Sequence, residues 1–142
     1  MTGVMAPARP AWVPGELYPF TDRYIEIDGN LVHYVDEGTG PPLLLLHGNP
    51  SWSFGYREVI RLLADEFRCV ALDYPGFGLS TARADYDFRP ASHARHAASS
   101  AAVSARRPPP GWGTPEALIS PGEFTASSPV VGDAFRTGTA VE

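Results

Sequence analysis

Two alternating runs, Tyr24-Ile25-Glu26-Ile27 and Leu31-Val32-His33-Tyr34-Val35, flank Asp28-Gly29-Asn30. Asp-Gly accepts the positive φ angles of a tight turn, so the pattern predicts a β-hairpin. Gly38 to Pro42 then breaks the chain. Leu43 to Leu46 is wholly apolar, as expected of a short strand covered on both faces. A helix is predicted next, with Ser51 or Ser53 as its cap. Along it Tyr56, Ile60, Leu63 and Phe67 recur at helical spacing with Val59 beside them, while Arg57, Glu58, Arg61 and Asp65 face away. Arg68 to Leu72 reads as another buried strand, ending at Asp73 and the turn-rich Tyr74-Pro75-Gly76-Phe77-Gly78. Strand, helix, strand in this order predicts a right-handed crossover in a mainly parallel sheet, hence an α/β fold.

The pattern changes near residue 94. Residues 91–142 hold 8 Leu, Ile, Val or Phe among 52, too small an apolar share for a packed core. Runs such as "AASSAAVSARRPPPG" show no period that lasts beyond about one turn. The expected organisation is therefore a flexible N-terminus over 1–15, a folding α/β region over 16–94, and a largely disordered tail over 95–142.

Composition narrows the function classes. A formal charge of -5 and a pI near 5.3 supply no basic face for phosphate backbones, so no nucleic-acid partner is expected. No apolar run approaches the roughly 20 residues of a membrane span, and Met1 to Pro14 lacks the apolar core of a secretory signal. A single cysteine, Cys69, forms no internal disulfide; a cytoplasmic setting fits, and its apolar surroundings make it a core residue. All eleven basic residues are Arg, a bias that a GC-rich gene produces. His93-x-x-His96 has metal-like spacing without a third ligand, and Gly76-Phe77-Gly78 lacks the full glycine fingerprint of a nucleotide loop. No metal or cofactor is expected.

His47-Gly48-Asn49-Pro50, with an apolar strand before it and an amphipathic helix after it, resembles the haloalkane dehalogenases of the α/β-hydrolase superfamily. Leu17-Tyr18-Pro19-Phe20, Val32 to Gly38, Trp52-Ser53-Phe54 and Asp73 to Ser80 extend the likeness, which covers about residues 16–94. The resemblance implies the N-terminal half of an α/β-hydrolase sheet. It also implies hydrolysis of a carbon–halogen bond through an aspartyl ester, with a small halogenated compound as substrate. Asn49 would then donate its side-chain NH2 to the departing halide, and its backbone N–H would form half of an oxyanion hole. An Asn offers these donors without a charge that would trap the product. Trp52 is a candidate pocket wall with core packing as the alternative, and His47 is expected to be structural. His-Gly-x-Pro is shared with epoxide hydrolases, so an epoxide substrate is the second reading.

The family's nucleophile motif, Gly-Gln-Asp-Trp-Gly-Gly-like, is not found, nor is a Gly-x-Ser-x-Gly elbow. Gly111-Trp112-Gly113 resembles part of the motif, but Gly111 stands where the carboxylate belongs and prolines precede it. Nucleophile, later acid and base are therefore expected to be missing and the chain catalytically incomplete. A reading-frame change near residue 95 accounts for the abrupt switch in composition; the nucleotide sequence read in all frames tests it. Without the nucleophile strand, Leu43–Leu46 is expected to be an open sheet edge that invites aggregation. A third reading takes Arg106 to Trp112 as a polyproline segment that binds a partner.

Overall fold

The computed structural model describes residues 5–104 and 130–132. Strands β1 (Arg23–Ile27) and β2 (Asn30–Glu37) pair antiparallel in the register Ile27 to Asn30. Asp28 and Gly29 at the turn have φ of 51° and 75°, the two consecutive positive values that match the twist of a hairpin. β3 (Pro42–Leu46) leads through a 3-10 turn (Ser53–Tyr56) into α1 (Arg57–Leu63) and on to β4 (Arg68–Leu72), which lies parallel to β3. α2 (Pro90–Ser104) follows, and β5 (Val130–Gly132) closes the sheet in the order β1-β2-β4-β3-β5.

Alternation along β3 and β4 sends side chains to two cores. Leu43, Leu45, Cys69 and Ala71 join Ile60 of α1 and Val13, Tyr18 and Phe20 of the N-terminal arm on one face. Leu46 and Leu72 join Tyr74 and Ala97 of α2 on the other. Cys69 is buried in the first of these cores, and burial raises its thiol pKa.

Four expectations change. Residues 5–15 fall in the stretch expected to be flexible, yet Val13 is packed in the core and Arg9 binds both oxygens of Asp22. The boundary at 94 cuts through α2, whose His96 Nε2 accepts a 3.0 Å bond from the side-chain NH2 of the buried Asn30. Tertiary contact to the hairpin turn therefore holds a helix that lacks a strong apolar stripe. Neither Ser51 nor Ser53 caps a helix: Ser53 Oγ bonds to Tyr18 Oη at 2.6 Å instead. Leu44–Leu46 is not an open edge, because Val130–Gly132 pairs with it in parallel. Two β-branched valines in a Pro- and Ser-rich context gave no period to read. The expected tail otherwise falls on 105–129 and 133–142, and both Gly111-Trp112-Gly113 and the proline run lie outside the described residues.

Candidate functional site at the carboxyl end of β3

Ligands in open α/β sheets gather outside the carboxyl ends of the strands, where the strand order reverses. That reversal occurs at β3: the chain leaves it for β4 on one side and returns to its other side as β5. His47 to Ser53 leaves β3 at this edge. Ser51 N–H donates to Gly48 O at 2.9 Å, closing a four-residue turn with Asn49 and a cis Pro50 at its centre. Asn49 and Pro50 are exposed at the tip, while His47 and Ser53 at the two ends are buried.

Both ends are fastened to consecutive residues after β4. Tyr74 N–H donates to His47 Nε2 at 3.0 Å, so the ring proton sits on Nδ1, which donates to Gly48 O at 2.9 Å. With both nitrogens engaged and the ring against Tyr74 and Phe77, His47 braces the loop. Burial pushes its pKa below the usual histidine value, against smaller opposing effects from Gly48 O and Asp73. At the far end, Ser53 N–H donates to Asp73 Oδ1 at 2.7 Å.

Asp73 is 0% exposed and belongs to a chain of polar contacts that runs out to the N-terminal arm. Its Oδ2 accepts from Leu79 N–H at 3.0 Å and meets His33 Nδ1 at 2.9 Å. His33 Nε2 meets Asp22 Oδ1 at 3.0 Å, and Asp22 is gripped in turn by Arg9. Each ring nitrogen of His33 thus faces a carboxylate oxygen, one from each side. Burial alone would raise the Asp22 pKa; the hydrogen bonds from Arg9 and His33 outweigh it and leave the pKa lowered.

Trp52 is half-buried, stacked on Phe54 at 5.3 Å and edge-on to Trp12 at 5.6 Å, packed against the outside of the core. His93 and His96 take separate partners. Tyr86 Oη lies 2.9 Å from His93 Nδ1, whereas His96 reaches Asn30 and Ser92 O. Among the described residues no group of three or more His, Cys, Asp or Glu converges as a metal site would. The sequence reading missed the roles of His33 and Asp22; a histidine on the core-facing side of an alternating strand was the available signal.

Burial lowers the His93 pKa too, with the neighbouring His47 and His96 adding to it. The unfolded chain therefore binds protons more readily than the folded one at His47 and His93. Their contribution is present above the ordinary histidine value and lost as pH falls below it; that of Asp22 is lost at still lower pH, through the carboxylate range. The melting temperature is expected to drop between pH 7 and pH 5, before Asp22 is protonated. Superimposable melts at pH 7 and pH 5 would rule this out.

Residues 41–104 match the family model described as alpha/beta hydrolase fold. Haloalkane dehalogenase 2 of Mycobacterium tuberculosis is 55% identical over 80 residues, covering 56% of this chain and 28% of that protein. The cis-3-alkyl-4-alkyloxetan-2-one decarboxylase of Shewanella oneidensis is 43% identical over 74 residues, 51% of this chain and 23% of its own length. Among solved structures, a variant of haloalkane dehalogenase DatA from Agrobacterium tumefaciens superposes with a TM-score of 0.52 at 29% identity, over 56% of this chain and 27% of that one. The chain thus spans 28% of the length of the mycobacterial relative. Among the described residues, no helix is long and apolar enough to cross a membrane. In its N-terminal portion, this chain has the α/β-hydrolase fold and a haloalkane dehalogenase-like sequence.

Proposed function

We propose that the chain carries one wall of a haloalkane dehalogenase-like active site and does not complete the reaction alone. The observation that supports this most is the placement of Asn49 at the tip of a braced turn directly after β3. There its carboxamide offers a neutral donor to a halide leaving a small alkyl halide, and its backbone N–H offers half of an oxyanion hole. Bond cleavage in such a site needs an aspartate to take the alkyl group and a histidine-activated water to hydrolyse the ester. Residues 16–94 supply the donor and neither of those two groups. His47, the histidine nearest in sequence, has both nitrogens committed to the brace.

The test is halide release from 1-bromobutane by the purified chain, with none expected above the buffer rate. Turnover that is lost on Asn49→Ala, or on Asp133→Asn just after β5 in the sequence, would overturn the incompleteness. The second reading is a related carboxylate-nucleophile hydrolase acting on an epoxide. The His47-Gly48-x-Pro50 pattern, shared with epoxide hydrolases, supports keeping it. Diol formation from styrene oxide without halide release would favour that reading.

A further inference from the structure

We propose that Asp73 is the positioning residue of the Asn49 turn, and that it links the turn to the N-terminal arm. The turn is a short bridge fastened at two points. Tyr74 N–H holds His47 at its start, and the Asp73 carboxylate holds Ser53 N–H at its end. Because the fasteners are neighbours in sequence at the end of β4, the distance between the two ends of the turn is set by one rigid strand terminus. Within the turn itself, backbone-to-backbone bonding is the single 48–51 hydrogen bond.

The carboxylate has no freedom to let go. One oxygen takes Ser53 N–H, and the other takes Leu79 N–H and faces His33. Gly78, at φ +52°, closes over it: a Cβ there would lie 2.3 Å from Asp73 Oδ2 and 2.8 Å from Trp52 Cβ. Ser80 Oγ donates to Asp73 O at 2.7 Å and accepts His33 N–H at 2.8 Å, fixing the backbone beneath. From His33 the chain of contacts runs through Asp22 to Arg9, whose guanidinium also reaches the carbonyls of Tyr18 and Phe20. The arm and the turn thereby share one hydrogen-bonded network, although Asp22 lies 25 residues before His47. A charge-assisted N–H bond to a fully buried carboxylate is about twice as strong as a neutral one, so Asp73 dominates the hold on Ser53.

The consequence for Asn49 rests on its reading as a donor; the positioning itself does not. In the full chain labelled with 15N and 13C, the Ser53 amide proton should appear downfield and show scalar coupling across the hydrogen bond to the Asp73 carboxyl carbon. In Asp73→Asn, the Ser53 amide should exchange with solvent about tenfold faster. The Asn49 backbone and side-chain resonances should shift with it, while Val35 and Leu45 amides keep their exchange rates. Unchanged Ser53 and Asn49 signals in a folded Asp73→Asn overturn the proposal. So does the absence of the coupling in the unsubstituted protein, a measurement independent of whether the variant folds. Titrating sodium bromide into the unsubstituted protein separates the two readings. A motionless Asn49 NH2 resonance would defeat its role as halide donor and leave the positioning result standing.

Discussion

His33→Leu is expected to destabilise the protein by about 1–3 kcal/mol, the usual cost of leaving a buried polar group without its hydrogen-bond partner. The imidazole is 0% exposed and lies between Asp73 and Asp22. Leucine fills much of the same volume, so lost packing contributes little. What remains is Asp73, wholly buried and held by Ser53 and Leu79 N–H, without the ring that faced it. Asp22 keeps Arg9 and, at the rim of the network, regains some solvent. His33→Gln retains a donor toward Asp73 and should recover part of the loss. Urea unfolding followed by tryptophan fluorescence measures all three proteins. A loss under about 1 kcal/mol for His33→Leu would mean that the network is dispensable for stability.

Gly38→Ala is the second large effect, and it acts through the backbone. Gly38 has φ of +90°, and a Cβ added there would meet Phe67 O at 2.1 Å and Ala64 O at 2.5 Å. The β2–β3 turn is wedged against the chain leaving α1, and Arg68 N–H donates to Pro41 O nearby. Neither carbonyl belongs to a side chain that can swing aside. Relief requires β3 and the α1–β4 connection to separate, which also moves the start of the strand that presents Asn49. A cost of about 3 kcal/mol follows from adding left-handed strain to overpacking. Gly15→Ala is the control, since a Cβ there meets nothing within 4 Å. Equal melting temperatures for the two variants would show that the turn relaxes freely.

The haloalkane dehalogenase-like portion was legible where the signal is local. The hairpin announced itself through Asp28-Gly29 between alternating runs, and the crossover through an apolar strand, an amphipathic helix and a second apolar strand. The helix was read too long, since α1 ends at Leu63 and Phe67 belongs to the turn before β4. Its start was misassigned because Ser53, a plausible cap by type, finds Tyr18 across the core. α2 escaped notice because an Ala- and Ser-rich helix carries little periodicity; its hold on the sheet comes from His96 and Ala97 meeting Asn30 and Leu46.

By itself, the sequence determined the hairpin, the βαβ order, the family likeness and the residue at the tip of the turn, Asn49. These depend on contacts within a few residues, on the periodicity of burial, or on a short motif. The tertiary structure alone decided that Val130–Gly132 flanks β3, that the arm is tied down by Arg9, and that Asp73 and Tyr74 fasten the turn. Each of those joins residues 13 to 86 positions apart along the chain. No local pattern encodes such a pairing. It emerges only when burial forces every buried donor and charge to find a partner.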